Sequence, residues 1–132
     1  MELGLNVDFT LSKLYLFKRF MLLSYSDACE AYSALEKHDE DSKYIIALGY
    51  LTMSQQSHIE LIKAHCDIGL DHREIDKYMT AYEAYTFQLK QVITDKDTNT
   101  SWLSSTHDSL IDAWKSTDAF IEKWTNTLIQ SV

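Results

Sequence analysis

The chain contains no proline and only three glycines in 132 residues. All-β folds depend on frequent turns that are rich in these two residue types, so their scarcity argues against a sandwich or barrel. No apolar run approaches the ~20 residues that a transmembrane helix needs. Long helices remain, and the 45% apolar content is enough for one globular domain covering residues 1–132.

The charge balance excludes several classes of partner. The net charge is −8, whereas sequence-independent nucleic-acid binding rests on Lys and Arg that neutralise phosphates. The same balance disfavours adsorption to anionic membrane surfaces. Two cysteines, Cys29 and Cys66, form no disulfide framework and are predicted to be reduced, buried thiols. The first residues lack the basic and apolar segments of a secretory signal, so we expect a cytoplasmic protein.

Apolar periodicity predicts four helices, over about 9–37, 43–68, 72–94 and 100–131. The boundary between the second and third is the best marked. Gly69 suits the left-handed position after a helix, and Asp71 with Glu74 three residues later resembles a capping box. Short connections between long helices favour antiparallel neighbours, so the predicted fold class is an all-α, up-down four-helix bundle.

The same periodicity predicts which positions face the core. On the first helix these are Leu11, Leu14, Tyr15, Lys18, Met21, Leu22, Tyr25, Cys29, Tyr32 and Leu35. On the second helix they are Ile45, Leu48, Leu51, Gln55, His58, Ile62, His65 and Cys66. On the third helix they are Ile75, Tyr78, Met79, Tyr82, Tyr85, Leu89, Val92 and Ile93. On the fourth helix they are Leu103, His107, Leu110, Trp114, Thr117, Ile121, Trp124 and Leu128.

Three pairs of segments hint at an internal duplication. Residues 28–33 resemble 81–86, residues 39–42 resemble 95–98, and residues 57–64 resemble 106–113. The offsets differ by about one or two helical turns, so each match preserves the facing side. A doubled helical hairpin explains this pattern. Chance is the alternative, because helical bundles reuse the same few residue types.

A polar seam crosses the predicted core at Gln55, His58, His65 and His107. Buried polar groups are costly unless they are hydrogen-bonded, so one interpretation is a pocket for a small polar ligand or a metal. The other is that each histidine bonds a tyrosine hydroxyl or a backbone carbonyl. A dimetal carboxylate site needs Glu three residues before His, where this chain has Gln55 and Ser104. We therefore predict no metal and no cofactor.

The first helix carries more apolar surface than one core needs. Residues 14–23 are apolar nearly all round, and a helix of that kind is buried on more than one side. The second apolar line runs through Phe9, Leu16, Phe20 and Leu23, and Phe87 and Trp102 also lie off their core stripes. Either residues 3–7 fold back over this line, or a protein partner or second copy covers it. Lys13, Lys18 and Arg19 interrupt the surface and disfavour membrane insertion.

No motif ties the chain to a known family or to a reaction, and the favoured expectation is that it is not an enzyme. In general character it resembles small helical inhibitors and dimeric regulatory bundles. Ten lysines against two arginines are typical of an AT-rich coding region, as in mobile DNA. The functional hypothesis is a non-enzymatic interaction or regulatory bundle that associates through the first helix. The alternative is a small-ligand-binding bundle that uses the polar seam.

Overall fold

The computed structural model describes residues 2–37, 40–69 and 72–130, with side chains from Phe9 onward. These residues form four helices, α1 (Glu2–Lys37), α2 (Ser42–Ile68), α3 (Arg73–Asp95) and α4 (Ser101–Gln130). The described part of the chain contains no strand, and none of its helices is long and apolar enough to cross a membrane. The predicted all-α, four-helix fold class is confirmed.

The first helix starts earlier than its apolar periodicity predicts. It begins at Glu2 rather than at Phe9. Residues 3–7 therefore continue α1 along its own axis, at about 1.5 Å per residue. The alternative in which they fold back over the second apolar line of α1 is wrong, because a continuous helix cannot turn back onto itself.

The boundary between α2 and α3 is set by two local devices. Gly69 adopts the left-handed conformation (φ 69°), and its N–H donates to the carbonyl of His65 at 3.1 Å, as predicted. The predicted N-cap residue, Asp71, lies outside the described residues. The N-cap that the structure shows is His72, whose Nδ1 accepts a hydrogen bond from the N–H of Glu74 at 3.1 Å. An imidazole nitrogen thus accepts the N-cap hydrogen bond that a carboxylate was predicted to accept.

The helices pack as two antiparallel hairpins, α1–α2 and α3–α4. The hairpins join where α1 packs against α4 and α2 packs against α3, whereas the described parts of α2 and α4 make no contact. Helices α2 and α4 therefore lie on a diagonal of the bundle. An ion pair between Lys96 and Asp41 links the hairpins near the α3–α4 connection.

The α1–α2 hairpin is closely packed where its interior side chains are small. The shared core-facing positions include Ser24, Ala28, Ala31, Ala34, Ala47 and Ser54, all buried. The helices approach so closely that the Ser54 hydroxyl donates to the backbone carbonyl of Ser24 at 2.6 Å. The largest fully buried side chains are Tyr78, Tyr82 and Tyr85 of α3, and α1 and α2 add Leu14, Phe17, Met21, Leu51 and Leu61.

The predicted core faces of α1 and α2 are partly wrong. On α2 the buried residues are Tyr44, Ala47, Leu51, Ser54, His58, Leu61 and Ala64. Ile45, Leu48, Ile62 and Cys66, which were predicted to face the core, are exposed. On α1 Tyr15 and Leu22 are also exposed. The physical reason is that alanines and serines occupy many interior positions of this hairpin, so large apolar side chains alone do not mark its buried face.

The core faces of α3 and α4 agree with the prediction. Ile75, Tyr78, Tyr82, Tyr85, Leu89 and Val92 are buried on α3. Leu103, Leu110, Thr117 and Ile121 are buried on α4, and the predicted Trp114 and Trp124 are half-buried against the core. In this hairpin large side chains do mark the buried face, so hydrophobic periodicity locates it.

Candidate functional site

The polar interior of the bundle is built from tyrosines on α3 and serines on α1 and α2. The hydroxyl of Ser54 is committed as a donor to the carbonyl of Ser24, so the Tyr82 hydroxyl, 2.7 Å away, donates to Ser54. The Ser24 hydroxyl donates to the carbonyl of Met21 at 3.0 Å and lies 3.3 Å from the Tyr78 hydroxyl. These bonds join the first half of α3 to both helices of the other hairpin.

A third tyrosine completes this arrangement. The hydroxyl of Tyr85 donates to the backbone carbonyl of Ala28, a helical carbonyl on α1. Burial is the main reason that the pKa of Tyr78 and that of Tyr85 lie well above the ordinary value, and burial raises the pKa of Tyr82 to about 12. The three phenols are therefore neutral donors at any physiological pH. Their hydrogen bonds join α3 to the other hairpin.

His58, on the predicted polar seam, is buried against this layer. Its exposed fraction is 8%, and its ring stacks on that of Tyr82 with centroids 3.9 Å apart and planes 16° apart. Burial lowers the pKa of His58 to about 4, so the imidazole is neutral at pH 7. Its Nδ1 is buried and has no hydrogen-bond partner among the described residues. His58 contacts a tyrosine ring, not the tyrosine hydroxyl that the sequence interpretation envisaged.

His107 occupies a comparable position on α4 but in a different part of the bundle. Its ring stacks on Tyr32 of α1, with centroids 4.2 Å apart and planes 7° apart, and tilts against Tyr85 at 5.5 Å. Burial lowers the pKa of His107, an effect that Asp108 and Glu36 partly offset. In both stacks the second helix of one hairpin supplies the histidine and the first helix of the other supplies the tyrosine. A doubled hairpin has this symmetry.

The structure does not gather the four residues of the predicted polar seam into one pocket. His58 and His107 lie on the diagonal helices α2 and α4, which do not touch. His65 lies against Phe17 with ring centroids 6.0 Å apart, more than a helical turn along α2 from His58. Gln55 is half-buried on α2, about one turn before His58. No group of three His, Cys, Asp or Glu side chains among the described residues is placed to hold a metal ion.

The second apolar line of α1 is the surface feature that the sequence analysis identified most directly. Phe9, Leu16 and Leu23 are seven residues apart, share one side of α1 and are 63%, 49% and 40% exposed. Phe20 is half-buried and packs against the core. It lines a groove with Leu16 and with residues of α2, which are Glu60, Lys63, Ala64 and Asp67. The α1 line thus continues onto the neighbouring helix.

The other two predicted interface residues lie elsewhere. Phe87 is exposed on α3, the helix diagonal to α1. Trp102 is 74% exposed at the start of α4. Because α4 runs antiparallel to α1, with Tyr32 stacked on His107 and Tyr25 stacked on Trp114, Trp102 lies at the opposite end of the bundle from Phe9. Four of the six predicted residues therefore share a surface and two do not.

A larger apolar surface on α2 was missed at the level of sequence. Ile45, Leu48, Met53, Ile59 and Ile62 are all exposed. The periodicity analysis assigned three of them to the core, and it therefore did not count them as surface. One signal was available, because residues 44–59 contain no charged side chain, which is unusual for a solvated helix face.

The known proteins offer no further guidance to the use of these surfaces. The chain matches no protein-family model, no curated protein and no solved structure.

Proposed function

We propose that this protein is a non-enzymatic interaction bundle, and that it binds another protein through the apolar surface of its α1–α2 hairpin. The observation that supports this most strongly is the distribution of exposed apolar residues. Of the thirteen large hydrophobic side chains that are exposed among the described residues, ten lie on α1 and α2. Large exposed apolar patches on a folded domain mark interaction sites.

The α1 line, defined as Phe9, Leu16, Phe20 and Leu23, is the first docking surface that we assign. Its groove with α2 is apolar at the floor, where Phe20 and Ala64 lie, and charged at the rim, where Glu60, Lys63 and Asp67 lie. An apolar centre with a polar rim is the usual anatomy of a protein interface. An amphipathic helix of a partner is the simplest ligand for such a groove.

The polar interior does not favour the alternative function of small-ligand binding. The tyrosine and serine hydroxyls are bonded to one another and to backbone carbonyls. His58 and His107 stack on different tyrosines. The tyrosine and serine hydroxyls thus hold the two hairpins together, and we assign them that role, although Nδ1 of His58 and Nε2 of His107 are buried with no hydrogen-bond partner among the described residues.

Photo-crosslinking at Leu16 tests the proposal. A photoreactive amino acid replaces Leu16 in the cells that make the protein, and in a matched control it replaces Glu83, an exposed residue of α3. We expect discrete crosslinked protein bands from position 16 and none from position 83. Products of equal intensity from both positions, or from neither, would contradict the proposal.

A double variant separates docking from folding. In Leu16→Glu with Leu23→Glu both new carboxylates enter water, because both positions are exposed, so helix content and melting temperature should stay near wild type. The crosslinks should be lost, in this case from a photoreactive residue at Phe9. Phe20→Glu is unsuitable, because the half-buried Phe20 ring packs on the core. If the double variant unfolds, the α1 line belongs to the core.

A further inference from the structure

The outward side of α2 carries a second apolar surface, independent of the α1 line. We define the α2 outer face as Ile45, Leu48, Gly49, Thr52, Met53 and Ile59, all of which are exposed. Helix geometry places Ile45 and Met53 one turn on either side of Gly49. The Thr52 hydroxyl donates to the carbonyl of Leu48 at 2.8 Å, so its hydrogen bond lies within α2. Gln56, one turn beyond Thr52 and also exposed, is a second polar side chain on this side of the helix.

The packing within one copy of the chain gives no reason for a glycine at position 49 of this face. Glycine is the least favourable helix residue after proline, yet Gly49 lies in the middle of α2 with ordinary helical backbone angles. A Cβ atom built on Gly49 would have no heavy atom within 4 Å, so the fold does not require glycine there. Its absence of a side chain leaves a shallow groove lined by Ile46, Tyr50 and Met53. A glycine in such a place allows another backbone to approach closely.

We infer that the α2 outer face binds the α2 outer face of a second copy of this chain, with the two α2 helices crossing near Gly49. A twofold axis at Gly49 would place Ile45 of one copy beside Met53 of the other, so that apolar side chains meet on both sides of the crossing. A surface that is apolar on both sides of its centre is self-complementary in this way, as a twofold dimer requires.

The charge distribution favours a second copy at this place. The chain carries a net charge of −8, so two copies repel each other wherever their acidic surfaces meet. Residues 44–59 are the longest stretch of the sequence without a charged residue. Self-association through α2 therefore avoids like-charge contacts that other faces would bring. Residues 45–59 span roughly 21 Å of helix, which places the dimer at the small end of specific interfaces.

Sedimentation equilibrium of the full chain tests this inference. Gly49→Gln fills the groove with a longer side chain, in open space and with a better helix former, so the variant should fold at least as well as wild type by circular dichroism. The matched control is Ala119→Gln, at an exposed position of α4. We expect dimers of the wild type and of Ala119→Gln, and a dissociation constant at least tenfold higher for Gly49→Gln.

Three results would overturn the inference. The first is a wild-type chain that stays monomeric up to about 500 µM, well above a micromolar dissociation constant. The second is a Gly49→Gln variant that dimerises as tightly as wild type. The third is a dimer that is lost in Leu16→Glu with Leu23→Glu but kept in Gly49→Gln. That last result would move self-association to the α1 line and would agree with the proposed function.

Discussion

The two hairpins of this bundle distribute their apolar side chains differently. Helices α3 and α4 concentrate them on one face, with buried tyrosines, leucines and isoleucines, and leave three large apolar side chains exposed, Phe87, Trp102 and Ile129. Helices α1 and α2 bury small residues together with a few large ones and leave ten large apolar side chains exposed on several sides. A helix that is apolar all round is normally covered on more than one side. This uneven exposure of apolar side chains is the basis of the proposal that another protein chain covers α1–α2.

Tyrosines of α3 join the two hairpins in the interior of the bundle. Side chains on α3 are long and aromatic where those on α1 and α2 are short, so each tyrosine ring fills the space that serine or alanine leaves. The hydroxyl at the far end of the ring then reaches the partner helix, as in the bonds of Tyr82 to Ser54 and of Tyr85 to the carbonyl of Ala28. Stability of the whole fold should therefore depend more on α3 than on the exposed surface of α1 or α2.

The largest expected change in stability is for a buried residue of α3, compared with an exposed one. Tyr85→Ala removes a fully buried ring and its hydrogen bond, so we expect the free energy of unfolding to fall by about 3–5 kcal/mol. Phe87→Ala removes a ring of similar size that is exposed, and it should cost less than about 0.5 kcal/mol. Urea denaturation measures both. Equal losses would mean that Phe87 is buried in solution and that the comparison of surfaces is wrong.

The next effect concerns pH and the buried His58. Its pKa in the folded chain is about 4, below the ordinary 6.5, so the unfolded chain takes up a proton more readily than the folded chain does. The contribution of neutral His58 to the free energy of unfolding is therefore fully present above pH 6.5. It is lost as the pH drops from 6.5 towards 4, and the loss is at most about 3 kcal/mol.

His58→Phe isolates that contribution. The variant keeps a ring against Tyr82 and removes the unpartnered Nδ1, so it should be at least as stable as wild type at pH 7 and lose less stability by pH 4. Asp27, whose pKa is raised mainly by burial, acts in the opposite direction but equally in both proteins. His107→Phe, at a half-buried site, should show a smaller change. A wild-type pH profile parallel to that of His58→Phe would contradict this assignment.

A smaller effect is expected for the bond that joins the hairpins. Tyr82→Phe removes the hydroxyl that donates to Ser54 at 2.7 Å and should cost about 1 kcal/mol. In a double-mutant cycle with Ser54→Ala the two costs should not add, since both substitutions break the same bond. Tyr15→Phe, at an exposed position of α1, should change stability little. Additive costs would show that the Tyr82 and Ser54 hydroxyls act separately.

The comparison of the hairpins also explains how far sequence reasoning reached. Helix number, fold class, the left-handed Gly69 and the core faces of α3 and α4 were predicted correctly, because in α3 and α4 large apolar residues mark the buried side. On α2 the same rule selected Ile45, Leu48 and Ile62, which are exposed, and passed over Ala47 and Ser54, which are buried. Periodicity weighs side-chain size and polarity, so it fails where two helices pack closely through small residues.

For the candidate sites, the sequence predicted features within one helix but not contacts between helices. The α1 line was visible because residues seven apart in one helix share a side. The bonds between α3 and the other hairpin were not visible, since Tyr82 and Ser54 are 28 residues apart and nothing in the sequence specifies their pairing. For the same reason the sequence did not show that His58 and His107 lie on diagonal helices.

The central claim is that the α1–α2 hairpin is covered by another protein chain when the protein functions. Native mass spectrometry of the protein purified from the cells that make it tests this most directly. The account predicts that the 15.3 kDa chain is recovered in complexes whose extra mass is protein, either a second copy or a different chain. A bare monomer at every concentration up to about 500 µM, far above the dissociation constants of micromolar complexes, would contradict it.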